Sequence, residues 1–269
     1  MESLKTRLGK KTLEARHIAK AYGDRKLIED FSYIVLPRDR IGIVGKNGSG
    51  KSTLLSHLKR EVAPHGTQMG VIEWQGSPLS AMSEKDSAQR IGYVAQTPET
   101  QIVTDTVWHE LAFGLENAAL PVQTIRRRVS EMASFFGIEE WFSRPVEALS
   151  GGQKQLLNLA SVMALQPRVL LLDEPTKGMD GAFKEEFGAL LRALCAQGAA
   201  VCVVSHDVEF CAQYADRCGL LFRGEVVTEN AARAFFSDHY FYTTAAARIA
   251  REAAPGAVLC GEVVQCLTD

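Results

Sequence analysis

Glycine, lysine and hydroxyl residues lie close together in the segment 45–52, which reads GKNGSGKS. Its glycines let successive backbone N–H groups point inward around a phosphate, and a following helix adds the positive end of its dipole. Lys51 would then reach the β- and γ-phosphates, and Ser52 would offer its hydroxyl to Mg²⁺. The predicted phosphate-binding residues are Gly45, Lys46, Asn47, Gly48, Ser49, Gly50, Lys51, Ser52 and Thr53. A chance glycine-rich turn is the alternative, and the flanking strand and helix disfavour it.

Two carboxylates, Asp173 and Glu174, directly follow the apolar run 169–172 and come 122 residues after Lys51 (173 − 51). In this kind of sheet, a carboxylate at the C-terminal end of a buried strand lies beside the phosphate loop. We expect Asp173 to hold Mg²⁺ through water and Glu174 to act as the general base on the attacking water. An acidic pair after a strand is common by chance, so the assignment of these two roles depends on the other segments of the chain described here.

Three other side chains are predicted to contact the nucleotide or the attacking water. His206 directly follows a predicted strand and would hydrogen-bond the γ-phosphate. Gln96 also follows a predicted strand, and its amide would contact Mg²⁺ or the water. Tyr22, 29 residues before Lys51 (51 − 22), would stack on adenine, and a tyrosine that only packs on the sheet remains the open alternative.

The segment 149–153, which reads LSGGQ, predicts a second anion site at the start of a helix. A serine hydroxyl, glycine N–H groups and the helix dipole would bind the anion. Since the chain already has one phosphate loop, the economical explanation is that this segment caps the γ-phosphate of ATP held by a partner domain. Two such domains, packed head to tail, would enclose two nucleotides. The residues concerned are Ser150, Gly151, Gly152 and Gln153.

The elements that position these side chains follow an α/β pattern. The first forty residues alternate apolar and polar positions, which predicts an antiparallel β region. Near-continuous apolar runs predict central strands of a parallel sheet that is covered on both faces. Helices are predicted over 51–59, over 182–196 and, within a helical insertion, from about 107 onwards. The predicted central strands are 41–44, 91–95, 169–172 and 200–204.

The chain is predicted to be a nucleotide-binding domain with a short extension. We assign the domain to residues 1–230, with a helical subdomain at about 97–165, and the C-terminal extension to 231–269. Within the extension, 245–254 is predicted to be a helix that Pro255 and Gly256 end. The length of 269 residues suits one large domain with an appendage.

Composition narrows the function classes. With 46% hydrophobic residues, 23% charged residues and a formal net charge of −2, no bulk attraction to nucleic acid is expected. The six cysteines form no CxxC pair, and several lie in apolar stretches, which predicts buried, reduced thiols in a cytosolic protein. The N-terminus lacks a signal-peptide core, and no apolar run approaches the ~20 residues that span a bilayer. If the protein serves a membrane, we expect it to act peripherally from the cytosolic side.

In combination, these segments resemble the ATP-binding cassette (ABC) superfamily over about residues 12–230. The resemblance implies a P-loop NTPase cassette that uses ATP and Mg²⁺, hydrolyses ATP and pairs with a second cassette. The D-loop residue Asp180 is then expected near the nucleotide. The matching positions are Tyr22 (adenine-stacking aromatic), 45–52 (Walker A loop), Gln96 (Q-loop), 150–153 (signature), Asp173 and Glu174 (Walker B), Asp180 (D-loop) and His206 (switch histidine).

A finer resemblance is to the ATPase subunits of energy-coupling factor transporters, which import vitamins and transition-metal ions in bacteria and archaea. The segments 96–117, 174–180 and 241–246 carry it. The resemblance implies three kinds of partner: a second ATPase subunit that is identical or paralogous, a membrane-embedded coupling protein, and a substrate-binding membrane protein. It identifies no cargo, because transport specificity normally lies in another subunit.

Other classes of P-loop protein fit less well. ABC proteins that act on ribosomes or translation usually carry two cassettes in one chain, and this chain has one. The 99 residues between Lys51 and Ser150 (150 − 51) are too few for the long coiled coil of DNA-repair ATPases. A P-loop kinase or GTPase would leave the signature unexplained. An ABC exporter remains open, and the segment 96–117 favours import.

Overall fold

The structure is a computed structural model that describes residues 11–22 and 25–268, without the side chains of Tyr22 and Arg25. Within these residues, ten strands form one mixed sheet in the order β5-β4-β1-β2-β10-β9-β3-β8-β7-β6. The strands are β1 (Leu13–Tyr22), β2 (Arg25–Val35), β3 (Arg40–Val44), β4 (Thr67–Trp74), β5 (Ser77–Pro78), β6 (Ile91–Val94), β7 (Val169–Asp173), β8 (Ala200–Ser205), β9 (Arg217–Phe222) and β10 (Glu225–Ala231).

Helices pack against this sheet and also form a separate cluster. In the described part of the chain, none is both long and apolar enough to cross a bilayer. The α-helices are α1 (Lys51–His57), α2 (Glu84–Arg90), α3 (Val107–Asn117), α4 (Val122–Phe136), α5 (Gly151–Ala164), α6 (Gly181–Ala196), α7 (Val208–Tyr214), α8 (Ala232–Asp238), α9 (Ala245–Ile249) and α10 (Cys260–Thr268).

The central strands are buried on both faces, which explains their unbroken apolar runs. Strands β3, β8, β7 and β6 pair in parallel. Along β7, Leu170 and Leu172 belong to the core formed with the helical insertion, whereas Leu171 belongs to the core on the α1 side. Alternate residues of a strand point to opposite faces, so each face needs its own apolar set. The predicted parallel sheet and the α/β fold are confirmed.

The N-terminal region is antiparallel, as predicted. Strand β1 pairs antiparallel with β2 on one side and with β4 on the other. The hairpin of β4 and β5 was not predicted from the sequence. Most of β4 is exposed, with Met69 and Val71 among the exposed apolar side chains, so the strand lacks a clean alternation of buried and exposed types.

The helical insertion lies between β6 and β7. Helices α3, α4 and α5 share one apolar core, which includes Leu111, Val129 and Leu157. Helix α5 begins after Ser150, whose side chain and that of Gln153 form a capping box. This core joins the insertion to one face of the sheet through Leu170.

The C-terminal segment corrects one prediction. The predicted helix 245–254 is helical only to Ile249, because Ala250 leaves helical geometry (φ −99°, ψ 12°). The chain then turns on the buried side chains of Ala250, Ala254 and Ala257. Farther upstream, Phe235 of α8 packs in a cluster that also contains core residues of β3 and α7. We keep the division at residue 230 as a proposal about domain organisation.

The four cysteines between positions 195 and 218 are buried, as the sequence predicted. Burial raises the pKa of the Cys195 thiol to about 11. Cys260 and Cys266 on α10 are exposed, which the sequence did not predict. A thiolate is the reactive form of cysteine, so the buried thiols are expected to be inert at neutral pH.

Candidate nucleotide-binding site

The loop 45–50 connects β3 to α1 and has the shape of an anion cradle. Gly50 has φ 96° and is the N-cap of α1. A Cβ at Gly45 would lie 2.4 Å from the carbonyl oxygen of Leu221, so only glycine fits there. The Ser49 hydroxyl is buried and has no hydrogen-bond partner among the described residues. An unsatisfied buried hydroxyl in a glycine-rich loop fits the binding of a phosphate group.

Lys51 is buried beneath this loop, with 6% of its surface exposed. Its Nζ donates to the carbonyl oxygens of Gly45, at 2.8 Å, and of Lys46, at 3.1 Å. Burial lowers the pKa of Lys51, and the carboxylates of Glu174 and Asp173 oppose that shift. The ammonium group therefore stands inside the cradle, where a phosphate could replace its backbone acceptors.

Ser52 and Asp173 meet at the end of β7. The Ser52 hydroxyl donates to Oδ1 of Asp173 over 2.9 Å. Burial raises the pKa of Asp173, and the hydrogen bond from Ser52 opposes this. Tyr93 on the neighbouring strand β6 lies near this carboxylate, whose negative charge adds to burial in raising the pKa of the Tyr93 hydroxyl. A hydroxyl and a carboxylate are oxygen ligands of the kind that Mg²⁺ prefers, so the pair fits the predicted metal site.

Glu174 is held in one orientation by three donors. Its Oε2 accepts hydrogen bonds from the Ser205 hydroxyl (3.0 Å), the His206 backbone N–H (3.1 Å) and His206 Nδ1 (2.7 Å). Its Oε1 lies 3.9 Å from Lys51 Nζ. Glu174 also has φ 46°, a left-handed conformation that costs a non-glycine residue energy. The backbone and the hydrogen bonds together direct the carboxylate toward the phosphate loop.

A second layer of contacts supports the switch segment around His206. Asp207 Oδ2 accepts from Lys184 Nζ of α6 at 2.6 Å and from the Thr176 hydroxyl at 3.1 Å. The Asp207 N–H donates to Ser205 Oγ over 3.0 Å. Burial acts to raise the pKa of Asp207, but the hydrogen bonds from Lys184 and from backbone and side-chain donors outweigh it, so the pKa is lowered.

The structure brings together Lys51, Ser52, Asp173, Glu174 and His206, and Gly45 and Lys46 accept hydrogen bonds from Lys51. Among the described residues, no hydrogen bond or ion pair joins Ser150 or Asp180 to this group. Ser150 is exposed at the start of α5, and Asp180 caps α6 by accepting from the Phe183 N–H at 2.8 Å. Gln96 is exposed just beyond β6. The adenine-stacking prediction falls on the side chain of Tyr22, which lies outside the described part.

The other predicted residues of the phosphate loop and of the signature differ in how far they are exposed. Thr53 is half-buried, and its carbonyl oxygen accepts from His57 Nδ1. Lys46, Asn47 and Gly48 are exposed at the mouth of the loop. In the signature, Gly151 is exposed, whereas Gly152 and Gln153 are half-buried.

Three supporting residues had no role in the sequence analysis: Ser205, Thr176 and Lys184. Ser205 ends β8 and is fully buried, next to His206 in the sequence. A small hydroxyl residue just before the switch histidine was the available signal. Thr176 and Lys184 gave none, because their partner Asp207 is 31 and 23 residues away in the chain.

A family model described as "ABC transporter" matches residues 28–177, which is more than half of the chain. The chain belongs to the ABC transporter family. The matched segment contains the phosphate loop, the signature and the Asp173–Glu174 pair. The predicted superfamily resemblance is therefore confirmed.

Curated relatives agree with this membership. The cassette is 38% identical over 219 residues to the cobalt import ATP-binding protein CbiO of Rhodobacter capsulatus, covering 80% of this chain and 77% of that protein. It is 35% identical over 213 residues to the energy-coupling factor transporter ATP-binding protein EcfA2 of Methanospirillum hungatei, covering 78% and 53%. The finer resemblance, to energy-coupling factor ATPases, is thus supported by named relatives.

Other relatives are longer proteins. A putative ABC transporter ATP-binding protein of Bacillus cereus is 39% identical over 223 residues, which is 82% of this chain and 40% of that protein. The chain therefore spans about 40% of the length of this relative.

A solved structure shows the same fold. The structure of CbiO1 from Clostridium perfringens, described as part of the ABC transporter complex cbiONQ, superposes with a TM-score of 0.77 at 27% identity. The superposition covers 85% of this chain and 92% of that one. The cassette fold, with its mixed sheet and helical insertion, is confirmed.

Proposed function

We propose that this cassette is the ATP-binding and ATP-hydrolysing subunit of an importer of the energy-coupling factor type, peripheral on the cytoplasmic face of a membrane. The observation that carries the proposal is the convergence of Lys51, Asp173 and Glu174 at one sheet edge, while Ser150 lies exposed on α5. Similarity to relatives named for cobalt import and for energy-coupling factor transport supports import. The proposed cargo class is a vitamin or a metal ion.

ATP is bound by exchange of hydrogen bonds in the phosphate loop. Lys51 gives up the carbonyl oxygens of Gly45 and Lys46 and donates to the β- and γ-phosphates. The Ser49 hydroxyl gains the partner that it lacks among the described residues. Both changes favour the bound state, because a charged donor and an unsatisfied buried hydroxyl each acquire an anionic acceptor.

Mg²⁺ would be held by Ser52 and Asp173, whose side-chain oxygens already lie 2.9 Å apart. Gln96 is the proposed further ligand, since it follows the strand next to β7. When bound, Mg²⁺ neutralises charge on the β- and γ-phosphates.

Hydrolysis uses Glu174 as general base. Three donors occupy Oε2, which leaves Oε1, on the side of Lys51, as the atom that accepts a proton from water. The water oxygen attacks the γ-phosphorus, the bond to the β–γ bridging oxygen breaks, and ADP and phosphate form. His206 contacts Glu174 through Nδ1, and the exposed part of its ring is proposed to contact the γ-phosphate.

A second cassette would complete the site. The Ser150 hydroxyl accepts from the Gln153 N–H, and its proton has no acceptor among the described residues. An exposed serine with a free proton, at the start of the 14-residue helix α5, suits a γ-phosphate bound by another subunit. Asp180 is proposed to lie at the same junction.

A groove beside the helical insertion is the proposed docking site for the membrane partner. It has a volume of about 460 Å³ and lies between the loop after β6 and the segment before α5. Its lining includes the apolar Ile102, Val103 and Val146 together with charged side chains, namely Asp105, Glu147 and Lys154. Mixed apolar and charged walls suit one amphipathic helix of a membrane subunit.

The test is affinity purification of a tagged Glu174→Gln variant from detergent-solubilised membranes with ATP, followed by mass spectrometry. We expect two integral membrane proteins and a second cassette, because the variant binds ATP but does not hydrolyse it. Tagged Lys51→Ala is the matched control and should recover less of the second cassette, because a dimer that contains it has at most one complete ATP site. Recovery of ribosomal proteins, or of no membrane protein, would contradict the transporter assignment and leave only the ATPase.

A further inference from the structure

The side chain of Gln101 folds back onto the end of β6. Its Oε1 accepts from the backbone N–H of Ala95 at 2.5 Å, and its Nε2 donates to the carbonyl oxygen of Tyr93 at 3.1 Å. The amide thus pairs with the last residues of the strand as a neighbouring strand would. It fixes the backbone immediately before Gln96, the residue proposed to contact the nucleotide.

A third hydrogen bond reaches this amide from another element. Asn158 of α5, with 2% of its surface exposed, donates from Nδ2 to Gln101 Oε1 over 2.9 Å. One helical turn earlier, Nζ of Lys154 lies 3.6 Å from Oε1 of Glu99, two residues before Gln101. One face of α5 therefore contacts the segment 96–101, which we call the Q-loop.

The chemistry of the groups allows only one orientation of this network. The Ala95 N–H only donates and the Tyr93 carbonyl only accepts, so Gln101 must present its oxygen to the first and its nitrogen to the second. The side chain that faces the Gln101 oxygen must then be a donor. Asparagine supplies that donor at position 158, whereas a carboxylate there would face another acceptor.

The segment that follows the Q-loop is attached to a different helix. Glu110 of α3 accepts through Oε2 from the Val103 N–H and from both the N–H and the hydroxyl of Thr104. The Q-loop is thus hydrogen-bonded to β6 and α5, whereas the residues just after it are hydrogen-bonded to α3. Only the first of these attachments includes both the nucleotide-facing residue and the helix that begins at Ser150.

We propose that Asn158 is a positioning residue that makes α5 follow the Q-loop. The hydrogen bond between Asn158 and Gln101 connects two parts of the chain. One part contains Gln96, which is proposed to contact ATP in this chain's own site, and the other begins at Ser150, which is proposed to bind the γ-phosphate of ATP in the partner's site. ATP bound in one site thereby sets the orientation of the signature for the other. This inference rests on the proposed function, because it requires ATP at the phosphate loop and a signature that acts on a partner.

Asn158→Leu removes the link without leaving an unsatisfied group behind. Gln101 Oε1 keeps its hydrogen bond from Ala95, and leucine is close to asparagine in size. We therefore expect little loss of stability. Gln155→Leu is the matched control: Gln155 is buried on the same helix, and its Nε2 has no partner among the described residues. Asn158→Asp is a second variant, which places a carboxylate against Gln101 Oε1.

The experiment is hydrogen–deuterium exchange of the full chain, kept monomeric by dilution, with and without Mg²⁺ and a non-hydrolysable ATP analogue. In wild type and Gln155→Leu, we expect the analogue to slow exchange in the phosphate loop and also in the first two turns of α5. In both Asn158 variants, only the phosphate loop should respond. In steady-state kinetics, kcat should fall about tenfold for these variants, with KM for ATP within about twofold of wild type.

The outcomes separate the inference from the function on which it rests. If α5 responds to the analogue in the Asn158 variants as in wild type, Asn158 does not couple the two regions. If the phosphate loop fails to respond in wild type, the proposed ATP site is wrong instead. If Gln155→Leu matches the Asn158 variants, the effect belongs to the packing of α5 and not to the hydrogen bond.

Discussion

Glu174 shows how much of the site depends on a single carboxylate oxygen. Its Oε2 receives a hydroxyl, a backbone N–H and an imidazole, all from consecutive residues at the end of β8. Two of these donors belong to His206, which the sequence identified. The third, Ser205, also accepts from the Asp207 N–H and so connects the general base to the segment behind it.

Ser205→Ala should reduce turnover more than ATP binding. The change removes a donor to Glu174 and leaves the half-buried Asp207 N–H without its acceptor, so we expect kcat to fall about tenfold and stability to fall by about 1–2 kcal/mol. KM for ATP should stay within about twofold, since, among the described residues, the Ser205 hydroxyl bonds to Glu174 and Asp207 and to no residue of the phosphate loop. Steady-state ATPase assays and urea unfolding provide the measurement.

Ser237→Ala is the control for that experiment, because the Ser237 hydroxyl makes only local bonds to Ala234 and Asp238 on α8. It should leave kcat unchanged. A Ser205→Ala enzyme with wild-type kcat would show that His206 alone orients the base.

At the scale of elements, two of the contacts that α6 makes with its neighbours can be tested, one an ion pair and the other a close packing contact. Lys184 reaches Asp207 across 2.6 Å, with 33% and 12% of the two side chains exposed. Farther along the helix, Gly188 faces the Tyr214 ring of α7 so closely that a Cβ would lie 2.2 Å from it. The two contacts make separate predictions.

Lys184→Met should destabilise the protein by about 1–2 kcal/mol at neutral pH, because a half-buried carboxylate loses its charged donor. The pKa of Asp207 is lower in the folded state than its ordinary value of 3.8. Such a group contributes stability above its unfolded pKa and loses it as the pH falls through the folded pKa. The difference between wild type and variant should therefore be constant from about pH 8 to about pH 5 and shrink below about pH 4.

Urea unfolding at several pH values checks this prediction. Lys177→Met is a suitable control, since Lys177 is exposed and its side chain makes no hydrogen bond or ion pair among the described residues. A gap between wild type and Lys184→Met that persists unchanged in acid would exclude Asp207 as the source of the effect.

Gly188→Ala should destabilise the fold even though alanine favours helices. The added methyl would collide with the Tyr214 ring, which is itself held by the Arg192 guanidinium 4.7 Å from its centre. Overpacking of this kind costs about 1–3 kcal/mol and outweighs the ~1 kcal/mol gain in helix propensity. Thermal or urea unfolding gives the measurement.

Gly181→Ala is the matched control on the same helix, because nothing lies within 4 Å of a Cβ there. It should be neutral or stabilising. If both variants gain stability, Tyr214 must move aside at no cost, and the close contact does not restrict α6.

Prediction from the sequence succeeded where burial on two faces or a complete motif constrained the residues. The runs that became β7 and β8 are apolar at nearly every position, because both of their faces are covered. The β4–β5 hairpin was missed because it lies at the exposed edge of the sheet. The helix predicted over 245–254 was too long, since alanine fills both a helix and a tight buried turn.

In the candidate site, too, some features could be predicted from the sequence and others could not. Lys51, Asp173, Glu174 and His206 were predicted to lie together from the phosphate-loop motif, the ends of the strands and the order of these segments, and the structure places them together. The links made by Lys184 and by Asn158 depend on which helices become neighbours. Sequence spacing does not contain that information.

At the scale of the whole molecule, the proposed function requires each chain to carry two separate halves of an ATP site. The phosphate loop and the base converge at the sheet edge, whereas Ser150 is exposed at the start of α5. Because the residues proposed for both halves are present in this chain, we expect a pair of identical chains to build complete sites, and two-fold packing would give two of them.

Two inactive variants should therefore restore activity when mixed. Lys51→Ala loses ATP binding but keeps its signature, and Ser150→Arg keeps its phosphate loop but loses its signature. Each variant alone forms no complete site. A mixed dimer has one, made of the Ser150→Arg phosphate loop and the Lys51→Ala signature. With random pairing, half of the dimers are mixed and each has one of two sites, so the mixture should regain roughly a quarter of wild-type ATPase activity. A mixture that stays inactive, beside an active wild type, would mean that identical chains do not complete each other's sites.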